Sequence, residues 1–163
     1  MTGKGIDMAL ERKEIEELND LFVSIYEVIA KSENESIQNG PFPDLSVAEI
    51  HTLAAIGRNG KPSMGDVAER LSVTMGTLSV SVKKLQARGY VQRENDENDR
   101  RLVLVSLTDK GKKAERLHKY FHDVMIKRVT ADMQDGEIES LKKALSILKR
   151  YFYQYLNGDR EEG

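Results

Sequence analysis

The fold of this chain is decided by one stretch, Val73-Thr-Met-Gly-Thr-Leu-Ser-Val-Ser-Val-Lys-Lys-Leu-Gln-Ala-Arg88. Leu78, Val82 and Leu85 are spaced four and then three residues apart, so they lie on one face of a helix. The opposite face carries small, hydroxylated or cationic side chains, and the stretch contains no Asp or Glu. Because a helix exposed only for solubility usually has acids among its lysines, this face predicts a negatively charged partner that comes close.

The neighbouring segments complete a winged helix. Ser46 and Glu49 form a capping box at the start of the preceding helix, and a shorter helix is predicted over 63–71. After the quoted stretch, residues 90–107 contain two strand-like runs separated by a long polar tip, which predicts a β-hairpin. Two short helices followed directly by a hairpin form a winged helix-turn-helix.

Long helices flank this lobe on both sides. The first is predicted over 8–31, and the turn-forming residues from Ser32 to Pro43 predict a loop after it, or a loop that contains one helical turn. Thr108 caps the next long helix, and the last helix begins near Asp135. The last helix has a seam with the strict three–four spacing of helix-on-helix pairing, formed by Ile138, Leu141, Leu145, Leu148, Phe152 and Tyr155. This seam packs within the chain or forms a dimer interface, and both can hold.

Composition excludes several classes of function. The chain has 163 residues and no cysteine, so it has no disulfide framework, thiolate metal site or thiol redox sensor. No apolar run approaches the ~20 residues of a membrane span and there is no signal-peptide pattern, so we expect a cytoplasmic protein without membrane contact. No nucleophile elbow, glycine-rich phosphate loop or paired-carboxylate setting occurs, so neither catalysis nor a cofactor is expected.

Three histidines are the remaining candidates for chemistry. His118 and His122 are four residues apart on one face of a predicted helix, the spacing at which two imidazoles can share a metal ion. The nearby acids, Glu115 and Asp123, do not complete a convincing ligand set, so no metal site is predicted. His51 stands alone in an apolar stretch, where a histidine is usually a hydrogen-bonded core residue.

Two longer runs resemble a known family. Residues 99–111 (Asp-Arg-Arg-Leu-Val-Leu-Val-Ser-Leu-Thr-Asp-Lys-Gly) are similar to the wing of the MarR-type winged-helix transcription regulators, and residues 85–93 to their helix-to-strand junction. The resemblance extends over nearly the full length. Residues 51–57, 73–77 and 117–125 resemble the subgroup of this family that represses fatty-acid synthesis genes, with acyl-loaded acyl carrier protein as corepressor.

The fold class predicted from both arguments is mainly α, a winged helix-turn-helix with long N- and C-terminal dimerisation helices. We divide the chain into an N-terminal helix and loop over 1–45, a DNA-binding lobe over 46–107 and C-terminal dimerisation helices over 108–163. Residues 1–45 contain four basic and ten acidic residues, whereas the lobe contains nine basic and seven acidic ones. For DNA to bind, the positive charge on the acid-free face of residues 73–88 must outweigh, close to that face, the negative charge of residues 1–45.

The resemblance implies contacts with double-stranded operator DNA by a homodimer. The quoted helix would enter the major groove, and Arg101, held by Asp99, would reach the minor groove from the wing. Lysines and hydroxyls can bind phosphate, and Val80 can meet a thymine methyl group or be an incidental surface valine. Because the acids of the wing would repel phosphate, we expect its arginines to point towards DNA and most acids away. The candidate DNA-binding residues are Thr74, Met75, Gly76, Thr77, Ser79, Val80, Lys83, Lys84, Arg100 and Arg101.

The resemblance also implies a ligand cavity between the first, second and fifth helices. As a hypothesis, it is an apolar tunnel for an acyl chain or another small apolar ligand; the alternative is a filled core. The candidate lining consists of Phe22, Tyr26, Ile29, His51, Ala55, Phe121 and Met125. Two other functions stay open, a MarR-type regulator of efflux or stress genes released by a phenolic ligand, and a winged helix used only for protein contact.

Overall fold

Helices and strands follow one another in the predicted order, and the mainly α fold class is confirmed. The structure is a computed structural model that describes residues 11–58, 60–97, 99 and 101–157. The helices within these ranges are α1 Arg12–Gln38, α2 Val47–Gly57, α3 Met64–Leu71, α4 Met75–Ala87, α5 Asp109–Val129 and α6 Asp135–Asn157, and the strands are β1 Val91–Asn95 and β2 Val103–Leu107.

Serine caps fix the starts of α2 and α3. The Ser46 hydroxyl accepts the Glu49 backbone N–H at 3.3 Å, and the Glu49 carboxylate accepts the Ser46 N–H at 3.0 Å. Ser63 and Asp66 form the same reciprocal pair at α3. Each capping box joins residues three apart, so the local sequence determines where these helices begin.

The first helix is longer than predicted. α1 continues to Gln38, so the loop expected from Ser32 is wrong over residues 32–38. Within this segment Glu33 is buried and Ile37 packs against the hydrophobic core. Tertiary contacts therefore keep residues helical that local propensity alone assigns to a turn.

The inner faces of α2 and α4 meet in one apolar core. Leu78, Val82 and Leu85 are all at most 1% exposed, as their spacing predicts. They belong to the same buried cluster as Leu53 and Ile56 of α2. Burial of these side chains fixes which face of α4 points outwards.

The predicted hairpin is confirmed and follows α4 directly. β1 and β2 pair antiparallel, with Val91 opposite Leu107 and Asn95 opposite Val103. The Val105 N–H donates to the Pro62 carbonyl oxygen at 3.0 Å, which ties β2 to the residues before α3. The wing is thereby attached to the helix-turn-helix on both sides.

A glycine closes the junction between β2 and α5. The Thr108 hydroxyl donates to the Gly89 carbonyl oxygen at 2.7 Å and accepts the Gly111 N–H at 3.1 Å. A Cβ atom on Gly111 would lie 2.1 Å from the carbonyl oxygen of Tyr90. Only glycine fits this close approach, which explains the Thr-x-x-Gly pattern at the end of the wing run.

The chain divides within α5 into two compact units. The first unit extends to Lys119 and the second begins at Tyr120. The three functional parts predicted from the sequence, 1–45, 46–107 and 108–163, have other boundaries and stay a prediction. Among the described residues, no helix combines the length and the apolarity needed to cross a membrane.

Candidate nucleic-acid interface

The outward face of α4 is open to a partner. Val80 is 57% exposed and Met75 is 49% exposed, although both are apolar. Ser79 is half-buried and stands at the edge of this face. The name 'α4 outer face' is used below for the exposed candidate residues, which are Thr74, Met75, Gly76, Thr77, Val80, Lys83 and Lys84.

The first turn of α4 combines a hydroxyl cap with an absence of acids. The Thr74 hydroxyl accepts the Thr77 N–H at 3.2 Å and lies 3.0 Å from the Thr77 hydroxyl. These two hydroxyls therefore order the helix start as well as facing outwards. Because no acid lies in this turn, the positive end of the helix dipole is not neutralised there and favours an anion.

Arg88 anchors the end of α4. Its guanidinium donates to the Glu49 carboxylate and to the Asp44 carbonyl oxygen. Burial acts to raise the pKa of Glu49, but hydrogen bonds from Ser46 and Arg88 hold that pKa below its ordinary value. Burial and a 2.7 Å bond to the Asp44 carboxylate raise the pKa of the Tyr90 hydroxyl above its usual range. The helix is thus fixed by a polar clamp as well as by its apolar face.

The wing tip presents Arg101 to solvent. Its side chain is 97% exposed, and its Nε lies 3.7 Å from Oδ1 of Asp99. The same carboxylate oxygen accepts the Arg101 backbone N–H at 3.0 Å. Asp99 therefore orders the backbone that carries the arginine, while Arg100 lies outside the described residues.

Three of the four wing acids have structural partners. Glu94 pairs with Lys61 at 2.6 Å, and the hydrogen bond that the lysine donates to this carboxylate raises the pKa of the lysine. Asp96 accepts the Asp99 N–H at 2.9 Å, and Asp99 serves Arg101 as described. Glu97 is exposed. Lys61 reduces the expected repulsion of phosphate at Glu94, whereas the bonds of Asp96 and Asp99 to backbone N–H groups order the turn of the wing.

A polar cluster lies elsewhere in the first unit, where α1, α2 and α5 meet. His51 Nε2 lies 2.8 Å from Oε1 of Glu33, and His118 Nδ1 lies 3.3 Å from the same oxygen. The two imidazole rings are 5.3 Å apart, centroid to centroid. His51 is hydrogen-bonded, as expected of a lone histidine in an apolar stretch, but its side chain is half-exposed beside a carboxylate rather than buried in the core. Its place in a ligand cavity stays a prediction.

The sequence missed Glu33 because this residue fell in the predicted loop. The expectation of no metal site depended on Glu115 and Asp123 as the only acids near the histidines in sequence. The structure supplies a carboxylate from α1 instead, and its oxygen and the two imidazole nitrogens lie within 4.8 Å of one another. Such a group of donors can hold a metal ion. A correct prediction of where α1 ends would have placed Glu33 on this helix, because Glu33 lies in its last two turns.

The other candidate lining residues are only partly brought together. Phe22, Tyr26 and Ile29 lie on α1 and are 51%, 76% and 37% exposed, so they do not line an enclosed cavity within the chain. Ala55 is buried in the core of the first unit. Phe121 and Met125 belong to the second unit, where both are half-buried. The ligand cavity stays a prediction.

Both terminal helices expose large apolar side chains. On α1 these include Leu21, Phe22 and Ile25, each more than half exposed. In the seam of α6, Ile138, Leu141 and Leu148 are half-buried, and Leu145, Phe152 and Tyr155 are 52%, 52% and 58% exposed. Contiguous apolar surface of this kind marks interaction sites in soluble proteins.

The chain is similar to known transcriptional regulators. Residues 44–102 match the model of the MarR family. The HTH-type regulator YfiV of Bacillus subtilis is 30% identical over 108 residues, 66% of this chain and 67% of that protein. YhjH of the same organism is 33% identical over 86 residues, 53% of this chain, and here the match spans 49% of the relative. The crystal structure of Streptococcus pneumoniae FabT in complex with DNA contains a similar chain, with a TM-score of 0.83 and 32% sequence identity. The similarity covers 86% of this chain and 99% of the FabT chain. These relatives are regulators rather than enzymes, which agrees with the expected lack of catalysis.

Proposed function

Because the chain belongs to the MarR family of transcriptional regulators, we propose that it is a homodimeric repressor of fatty-acid synthesis genes, with acylated acyl carrier protein as corepressor. The observation that carries the DNA-binding part is the acid-free α4 outer face, held outwards by a fully buried inner face. Each subunit places this helix in a major groove of a pseudopalindromic operator.

The contacts divide by chemistry. Lys83 and Lys84 bind phosphate, and the first turn of α4 adds backbone N–H groups and the positive end of its dipole. Gly76 lets the backbone approach, since no side chain stands between it and the DNA. Val80 and Met75 supply apolar surface for a thymine methyl group, while Thr74, Thr77 and Ser79 border them.

The wing supplies the second contact of each subunit. Arg101 is 97% exposed on a turn whose backbone Asp99 orders, so its backbone is already in place when the side chain enters the adjacent minor groove. Arg100, the neighbouring residue in sequence, adds a second cation. Both residues act on a backbone whose negative charge dominates affinity.

Dimerisation is supported by the apolar faces of α1 and α6. A single chain leaves Phe22, Ile25, Leu145, Phe152 and Tyr155 about half exposed or more. Burying such faces against a second copy is favourable by roughly 25 cal/mol per Å² of apolar surface. A two-fold axis then matches the symmetry of the operator, and sedimentation at micromolar concentration is expected to show a dimer.

The fatty-acid assignment is supported by the segments that resemble that subgroup and by the likeness to FabT. An acyl chain requires apolar surface, and Phe22, Tyr26 and Ile29 offer it along α1. The corepressor acts by binding the DNA-competent conformation of the dimer more tightly than the conformation that does not bind DNA.

A gel shift tests this function. The probe is a promoter fragment of the fatty-acid synthesis genes from the encoding organism, with a scrambled duplex of equal length as control. We expect specific binding that tightens when acylated carrier protein is added, while the unacylated carrier has no effect. Indifference to the acylated carrier favours the efflux or stress regulator, and absence of any salt-sensitive duplex binding favours the protein-contact module.

A further inference from the structure

The polar cluster of Glu33, His51 and His118 has the donors and the spacing of a metal site. Its three residues come from α1, α2 and α5 and belong to one compact unit. One carboxylate oxygen faces two imidazole nitrogens, and all three atoms lie within 4.8 Å of one another. Two histidines with one carboxylate form a known zinc ligand set that leaves a position open.

Burial makes this arrangement more than a surface group. The side chains of Glu33 and His118 are 7% and 9% exposed, whereas that of His51 is 46% exposed. A buried carboxylate is costly unless positive charge or hydrogen bonds compensate it. The cluster is therefore closed on two sides and open at His51, where an ion can enter.

We propose that Glu33, His51 and His118 bind a divalent transition-metal ion of the zinc type. Ligand atoms at 2.0–2.2 Å from a tetrahedral ion stand roughly 3.3–3.6 Å apart. The separation of His118 Nδ1 from Glu33 Oε1, 3.3 Å, already fits this value. The 2.8 Å between His51 Nε2 and the same oxygen has to open by about half an ångström, which a side-chain rotation provides.

The donor chemistry selects the class of ion. Imidazole and carboxylate suit zinc and its neighbours, whereas calcium and magnesium require oxygen ligands almost exclusively. In the sequence, His122 follows His118 at the i, i+4 spacing used by two-histidine zinc motifs on a helix. The site needs no cysteine, so it is compatible with a chain that has none.

The site is connected to the recognition helix through α2. His51 is followed by Thr52, whose hydroxyl lies 3.3 Å from the Ser81 hydroxyl on α4. A shift of α2 on metal binding therefore reaches α4 directly. We infer that occupancy of the site changes operator affinity; this second step rests on the proposed function, whereas metal binding itself does not.

Metal binding is tested on the full-length protein after removal of metal with a chelator. Titration with Co²⁺ is expected to give visible absorption bands of a four-coordinate ion that saturate at one ion per chain, and Zn²⁺ is expected to displace it. A hundredfold excess of Zn²⁺ over its Kd is expected to raise Tm by roughly 5–10 °C. Absence of both signals in the wild type overturns the proposal.

Isosteric variants identify the ligands. Glu33→Gln, His51→Gln and His118→Gln are each expected to weaken Zn²⁺ binding by at least about tenfold. Glu35→Gln is the matched control, since it removes an exposed carboxylate two residues away on α1 and is expected to bind as the wild type does. Wild-type affinity in Glu33→Gln contradicts the site. Should that buried variant fail to fold, His51→Gln, at the exposed side of the cluster, decides.

Operator binding is then measured with Zn²⁺ and with chelator. A change in Kd that His51→Gln abolishes supports the regulatory step, and an unchanged Kd with bound metal overturns that step. If no duplex is bound in either condition, the proposed function fails while the Co²⁺ titration still judges the metal site. The two hypotheses are thus separable.

Discussion

Arg101→Ala is the most direct test of the wing. The side chain is 97% exposed and its ion pair with Asp99 is long, at 3.7 Å, so the fold does not depend on it. We expect an unchanged Tm and a large effect on DNA binding. The substitution therefore separates recognition from stability.

The magnitude follows from counterion release. Each phosphate contact contributes about −0.9 to the slope of log K against log salt concentration, so the loss of one contact per wing reduces the slope of a dimer by about 1.8. Between 50 and 200 mM salt this difference amounts to roughly tenfold in affinity. The variant binds more weakly than the wild type at low salt, and the gap narrows as salt rises.

Fluorescence anisotropy of a labelled operator duplex, titrated at several salt concentrations, measures this slope. Arg12→Ala is the control, because it removes a 94% exposed arginine on α1, outside the winged helix, that pairs with Glu16 one turn away. The control is expected to keep the wild-type slope. If Arg101→Ala also keeps both slope and affinity, the wing does not contact DNA and the assignment is refuted.

Three further predictions concern the fold and the α4 outer face. Gly76→Ala has room in the free protein, since its Cβ would meet nothing closer than 3.8 Å. The added methyl group should nevertheless weaken operator binding by about tenfold or more, because the backbone loses a phosphate contact. Wild-type affinity would show that the backbone at Gly76 does not closely approach the DNA. Gly111→Ala should lower the free energy of unfolding, measured in urea, by about 1–3 kcal/mol because of the clash with the Tyr90 carbonyl. Gly65→Ala is the control and should raise the free energy of unfolding by about 0.4–1 kcal/mol, because its Cβ would make only an ordinary contact, 3.6 Å from the Ser63 hydroxyl. The Tyr90 hydrogen bond holds the pKa of Asp44 below its ordinary value, so the stability that this bond contributes is present above about pH 4 and is lost as pH falls through the lowered pKa. Asp44→Asn should therefore flatten the acid side of the plot of unfolding free energy against pH. If the plots of the variant and the wild type run parallel, the coupling is refuted.

The sequence was sufficient where the determining contacts are local. The capping box at Ser46, the short helix over 63–71 and the buried face of α4 were predicted and confirmed, because each depends on residues close together along the chain. The hairpin followed from two strand-like runs and a polar tip. The outer face of α4 could be read as a binding surface because the absence of acids is a property of composition alone.

Tertiary structure decided what depends on distant residues. The end of α1 at Gln38 was mispredicted because burial of Glu33 and packing of Ile37 outweigh the turn-forming composition of that segment. The convergence of Glu33 with His51 and His118 depends on how three helices pack, and no spacing along the chain encodes it. Spacing along the chain determines which side chains share a helix face; only packing determines which faces meet, and here that meeting created the candidate metal site.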